Sequence, residues 1–193
     1  IEDAQVNAVQ RIIANYGRLL GPEEMRKAVK RDISAFSPGV QFRHQSELEP
    51  PDPSEGFSAI EAMPFVRRHD SSMSNRALIV WCDGILIRPS AATGIRPSAD
   101  TGRSLMADGD IDVFAERGAV LRDYQEDGWL VLGISWRPEV ADQTLTIEQV
   151  DASFARVRAQ LGVSIEILYC PHGAGPPICW CRKPLPGLGV LFI

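Results

Sequence analysis

No apolar run in this 193-residue chain approaches the roughly 20 residues that a membrane-spanning helix needs. The opening IEDAQVNAVQRI is polar and amphipathic, and it lacks the apolar stretch of a secretory signal. An excess of basic charge is also missing. Lys and Arg number 20 against 25 Asp and Glu, for a net charge of −5. That balance argues against a non-specific nucleic-acid coat or a membrane-surface binder, and is compatible with a local basic groove. Residues 1–75 contain no GxxxxGK[ST], which excludes an intact phosphate-binding loop there. The chain begins without Met and stops abruptly, as expected of a fragment of a longer polypeptide, and a cytoplasmic location is the default expectation. Cysteine is scarce, at four residues, and histidine scarcer, at three.

Apolar residues make up 45% of the chain and charged residues 23%, the texture of one globular domain with an appendage. Residues 1–33 are predicted helical: Val6, Val9, Ile12 and Ile13 follow helical spacing, and Gly17 and Gly21 punctuate the end. Pro22-Glu23-Glu24 opens a second helix, with Pro first and acids in the first turn. Residues 34–58 are expected to form an irregular linker, because Ser-Pro-Gly at 37–39 and Pro-Pro-Asp-Pro at 50–53 break regular structure. Ser58–Val66 is a candidate edge strand containing Pro64, and His69–Asn75 a polar spacer. His44 and His69 lie in polar surroundings and are expected to be bystanders.

The texture changes at Arg76. Ala77–Trp81 (ALIVW) is a continuous apolar run suited to a strand buried on both faces. Residues 87–94 (IRPSAATG) and 95–102 (IRPSADTG) form a tandem duplication, expected to be an expanded surface loop. Asp112–Asp127 is predicted as an amphipathic helix with Val113, Ala119, Val120 and Tyr124 turned inward, ended by Gly128. Trp129–Ile134 is a second buried strand. Thr146–Leu161 is a helix capped by Thr146 and closed by Gly162, and Val163–Tyr169 a third strand. Alternating strands and helices imply an α/β, Rossmann-like parallel sheet with flanking helices. Ligands of such sheets lie at the carboxyl ends of the strands. Here those ends are Trp81-Cys82-Asp83-Gly84, Ser135-Trp136 and Cys170-Pro171-His172.

Three of the four cysteines crowd into one loop, as Cys170-x-His172, six residues, then Cys179-x-Cys181. Three thiolates and one imidazole satisfy tetrahedral Zn²⁺ with no open position, the mark of a structural site. A loop so poor in apolar residues needs the metal in place of a core. Ordinary thiols beside a surface histidine would leave the convergence of four ligand types unexplained. A redox pair at Cys179-x-Cys181 would leave Cys170 and His172 unexplained. Cys82 stands apart in an apolar run and is expected to be a buried thiol.

Cys-x-His…Cys-x-Cys-Arg-Lys-Pro resembles the haloacid-dehalogenase-like superfamily, subfamily IIIA, which holds histidinol-phosphate and heptose-bisphosphate phosphatases. Polynucleotide 3′-phosphatases are related to that subfamily. The resemblance spans residues 76–193, which it makes a phosphatase domain that is incomplete at its C-terminus. The family pattern places Asp-x-Asp-Gly after the first strand, a Thr or Ser after the second, and a Lys after the zinc loop. Here the matching residues are Trp81-Cys82-Asp83-Gly84, Ser135 and Lys183. The resemblance makes Asp83 the general acid/base, and Ser135, Lys183 and Arg182 the ligands of the phosphoryl oxygens. It also implies a catalytic Mg²⁺ beside the structural Zn²⁺. The nucleophilic carboxylate of the family is replaced by Trp81, and an indole neither attacks phosphorus nor binds Mg²⁺. The family's later acidic pair would fall beyond Ile193.

A Mg²⁺-dependent phosphomonoesterase impaired by Trp81 is therefore the leading expectation. Its substrate would be a sugar or amino-alcohol phosphate, or a nucleic-acid 3′-phosphate end. For the latter, Arg88, Arg96, Arg103 and Arg137 are candidate backbone contacts. The rival is a non-catalytic, zinc-stabilised phosphate- or nucleic-acid-binding module, a pseudophosphatase. A partly folded chain with an unpaired first strand is the third reading. Residues 1–75 faintly resemble the region joining a kinase to a phosphatase in bifunctional end-processing proteins, implying a fused or associated kinase domain. A helical appendage capping the sheet is the equal alternative.

Overall fold

The computed structural model describes residues 2–61, 75–90, 111–175 and 179–193. Three helices come first: α1 (Glu2–Tyr16), α2 (Pro22–Arg31) and α3 (Pro38–Glu47). A parallel sheet follows, with strands β1 (Arg76–Trp81), β4 (Trp129–Trp136) and β5 (Glu166–Cys170) in the order β1-β4-β5. Between β1 and β4 lie a small antiparallel pair, β2 (Ile87–Pro89) with β3 (Ile111–Val113), and helix α4 (Arg117–Glu126). Helix α5 (Ile147–Leu161) joins β4 to β5, and α6 (Gly187–Phe192) ends the chain. The expected α/β architecture, a parallel sheet flanked by helices, is present.

The strand period of two divides the sheet into two faces. Val131, Ile167 and Tyr169 turn to one side, where Leu121 of α4 and Val150, Phe154, Val157 and Leu161 of α5 complete a core. Ile134, Trp136 and Leu168 turn to the other, against Leu188 of α6 and the buried Cys170, Cys179 and Cys181. Helix α5 starts and stops as its ends dictate. Thr146 accepts the Gln149 amide and Gln149 returns the bond, while Gly162 closes it at φ 61°.

Several elements differ from the sequence-based expectation. Trp81 and the rest of β1 are not buried on both faces; β1 is an edge strand, and Ile79 is 43% exposed. An apolar run reports only that a strand is apolar, and sheet order decides how many sides are covered. The helix predicted from Asp112 begins at Arg117, because Asp112 and Val113 pair with Arg88 and Ile87. Its inward residues are Gly118 and Leu121, while Ala119, Val120 and Tyr124 face outward. Gly118 decides that face. A Cβ there would collide with the Leu161 carbonyl oxygen, so α4 approaches α5 on a side no larger residue permits. The linker expected at 34–58 contains α3, capped by Ser37 with Pro38 at its first position. Ser-Pro acts there as a helix start signal and not as a breaker, because Pro has no amide to leave unpaired in a first turn. Within the candidate strand at 58–66, residues 58–61 are irregular and the rest lie outside the described residues, as do His69 and most of the duplicated segment.

The N-terminal helices pack on the loop that follows β5. Val9, Ile12 and Met25 are fully buried together with Trp180 and Leu185, and the Trp180 indole donates to the Phe36 carbonyl at 2.8 Å.

Candidate functional site at the carboxyl ends of the strands

Backbone pairing brings the strand ends together. Trp81 is in register with Ile134, Ser135 with Tyr169, and Trp136 with Cys170. After β1 the chain turns tightly: the Cys82 amide donates to the Ile134 carbonyl at 2.9 Å, and Gly84 takes φ 79°. That left-handed position favours glycine, and the turn holds Asp83 over the end of β4.

Asp83 accepts from both Ser135 and Arg137. The Ser135 hydroxyl donates to Oδ2 at 2.7 Å, and the Arg137 guanidinium to Oδ1 at 2.8 Å. Arg137 is completely buried, lies over the Phe154 ring at 5.1 Å, and also donates to the Trp136 carbonyl at 2.7 Å. Lys183 is exposed, and its ammonium lies 4.8 Å from the centre of the Trp81 ring, a cation–π contact. Arg182 stacks on Trp136 at 5.3 Å and donates to the Gly173 and Gly175 carbonyls at 3.2 and 2.7 Å. The structure thus joins Asp83 to Ser135 and Lys183 to Trp81, while Arg182 binds the cysteine loop.

Arg137, grouped by the sequence with candidate nucleic-acid contacts, is instead the buried partner of Asp83. The sequence does carry a signal for this: Ser135-x-Arg137 continues the alternation of β4, which puts both side chains on one face. Arg88 is exposed, pairing with Asp112 at 3.3 Å. Arg96 and Arg103 lie outside the described residues, and His44 is exposed on α3.

The second constellation follows β5. The ligand atoms of Cys170, His172, Cys179 and Cys181 all lie within 4.8 Å of one another. Cys170 Sγ is 3.7 Å from Cys179 Sγ and 3.3 Å from Cys181 Sγ. His172 Nδ1 is 3.5 Å from Cys170 Sγ and 3.1 Å from Cys181 Sγ. Zinc–sulfur bonds of about 2.3 Å imply tetrahedral edges of roughly 3.8 Å, so the donor set and its spacing fit Zn²⁺. The Trp136 indole fixes the loop by donating to the His172 carbonyl at 2.7 Å. Crowding shifts the thiols apart. Hydrogen bonding to Cys179 pushes Cys170 up to about 12. Cys181 is raised by Cys170 and Cys179, while Cys179 is lowered because both neighbours donate to it. A bound dication would hold all three as thiolates.

Magnesium is a different case. It takes oxygen ligands, carboxylates above all. At the strand ends the Trp81 side chain offers no oxygen, and both Asp83 carboxylate oxygens accept bonds from the protein. Among the described residues, the cysteine loop is the only place where three or more His, Cys, Asp or Glu ligand atoms converge. The described residues do not supply the oxygen ligands that Mg²⁺ needs.

No family model matches the chain, and no curated protein does. Among solved structures the chain is similar to D,D-heptose 1.7-bisphosphate phosphatase from B. bronchiseptica, in a crystal structure complexed with magnesium and phosphate. Sequence identity is 22% and the TM-score 0.44, and the match covers 59% of this chain and 59% of that one, under two thirds of the neighbour's length.

Proposed function

We propose that this chain is a zinc-stabilised, phosphatase-like domain of the haloacid-dehalogenase type that binds a phosphorylated ligand at its strand ends and is impaired in hydrolysis. The observation that carries the proposal is the arrangement of Trp81, Asp83, Ser135 and Lys183 around the ends of β1 and β4. Hydrolysis through an aspartyl-phosphate needs a carboxylate oxygen to form a bond to phosphorus as the bond to the leaving oxygen breaks. The side chain at that position is the Trp81 indole, covered by the Lys183 ammonium. A phosphate group drawn to Lys183 would meet an aromatic surface instead of a nucleophile. Asp83, the acid/base of the family pattern, is engaged by Ser135 and Arg137, which favours binding over turnover. Zn²⁺, held by Cys170, His172, Cys179 and Cys181, would brace the loop that carries Arg182 and Lys183. The ligand is a phosphomonoester: a sugar or amino-alcohol phosphate, or a nucleic-acid 3′-phosphate end.

Phosphate release from sugar phosphates and a 3′-phosphorylated oligonucleotide, measured beside binding of inorganic phosphate, tests this. The chain is expected to bind phosphate and release none, and Lys183→Ala is expected to weaken binding about tenfold, or 1.4 kcal/mol. Release by Trp81→Asp alone identifies a disabled phosphatase. Turnover by the unmodified chain would mean that position 81 is not the nucleophile position.

A further inference from the structure

The last inward residues of β4 and its extension, Ser135 and Arg137, both end on Asp83. The two partners of the ion pair differ in depth: the Arg137 side chain has no exposed surface, whereas that of Asp83 is 28% exposed. The guanidinium therefore lies on the protein side of the carboxylate, against Phe154, and Asp83 faces the strand ends. One Arg137 amino group serves Asp83, the other the Trp136 carbonyl, and Nε is buried with no acceptor among the described residues. A guanidinium taken this deep needs a counter-charge, and Asp83 supplies it at 2.8 Å. The planar guanidinium is pre-organised to reach two acceptors at once.

We propose that Arg137 is the resident cation of the site: a positioning residue that balances the charge of Asp83 where a phosphatase of this type would use a divalent metal, so that a phosphate group is held near Ser135 and Lys183 without Mg²⁺. The proposal rests on the phosphate-binding reading above and adds to it the charge that makes binding metal-independent. An anion brought beside an unbalanced carboxylate is repelled. With the guanidinium bonded to Oδ1, Asp83 presents a neutral pair, and the Lys183 charge remains for the ligand.

Two readouts on the zinc-loaded chain separate this proposal from the reading beneath it. One is phosphate binding by phosphorus NMR with and without Mg²⁺; the other is Mn²⁺ uptake by electron paramagnetic resonance. The unmodified chain is expected to bind phosphate equally well with and without Mg²⁺ and to take up no Mn²⁺ stoichiometrically. Arg137→Met is expected to bind phosphate about tenfold more weakly in the absence of metal, to recover on adding Mg²⁺, and to take up Mn²⁺. Stoichiometric Mn²⁺ uptake by the unmodified chain, Mg²⁺-dependent phosphate binding by it, or unchanged metal-free binding by Arg137→Met overturns the proposal. Should Arg137→Met fail to fold by circular dichroism, the unmodified chain decides alone. If phosphate binds under no condition, the phosphate-binding reading falls, and Mn²⁺ then judges Arg137: uptake by the variant only supports its role, and uptake by neither chain overturns it.

Discussion

Cys82 opens the turn after β1 fully buried, and its thiol is pushed up to about 12, first by burial and then by the neighbouring Asp83 charge. A thiol is nucleophilic only as thiolate, so burial and the raised pKa both disfavour reaction at Cys82. The loop cysteines are buried too, but beside one another and His172, where one of them is driven towards thiolate. Alkylation with iodoacetamide at neutral pH separates the two environments. The zinc-loaded protein is expected to resist, and chelation to expose Cys170, Cys179 and Cys181. Peptide mass spectrometry would find Cys82 labelled only after denaturation. Labelling of Cys82 in the folded, chelated protein would contradict its burial. Trp81 shows what residue identity reveals on its own: the apolar run that it closes, just ahead of Asp83-Gly84, marks the end of β1. Arg137 shows what identity hides, because an arginine beside a Pro-Glu turn resembles a solvated charge until the sheet closes around it.

At the scale of elements, close contact between α4 and α5 depends on the missing side chain at Gly118. A methyl group there would strike the Leu161 backbone, which cannot rotate away as a side chain can. Gly118→Ala is therefore expected to destabilise the fold by about 1–3 kcal/mol, the usual cost of overpacking. The measurement is the urea midpoint, with an unchanged slope showing that the same surface unfolds. An unshifted midpoint would mean that α4 can slide without loss. The helix period alone points to Ala119, Val120 and Tyr124, because it favours whichever stripe is largest. The observed face is chosen by the smallest residue, since closeness and not side-chain area sets how α4 docks.

At the scale of the molecule, the cysteine loop links two packed regions. Its ligands lie against the sheet with Leu188, Ile134 and Leu168, while Trp180, between Cys179 and Cys181, inserts among Val9, Ile12 and Met25 of the N-terminal helices. Gly187 turns closely under the same residue, 2.5 Å from the Trp180 carbonyl oxygen to the site of a Cβ. Metal removal is therefore expected to act at a distance. Stripping Zn²⁺ should shift Trp180 fluorescence to the red and speed proteolysis around α1 and α2, with re-addition reversing both. Tryptophan fluorescence with Trp180→Phe as the reference isolates that signal. Proteolysis of the helices that is indifferent to metal would show that they stand without the loop.

The alternation of strands and helices, the caps of α5 and the clustering of three cysteines with one histidine are all legible in the residues, because each depends on local spacing or on the chemistry of one side chain. Cys170, His172, Cys179 and Cys181 announce, by type and interval alone, a cluster that could hold a metal ion. Only the tertiary structure decided what depends on a partner distant in the chain. Sheet order left β1 at an edge, close approach at Gly118 turned α4, and burial behind Asp83 made Arg137 an internal counter-ion. These outcomes depend on which surfaces meet when the chain closes, and no local pattern carries that information.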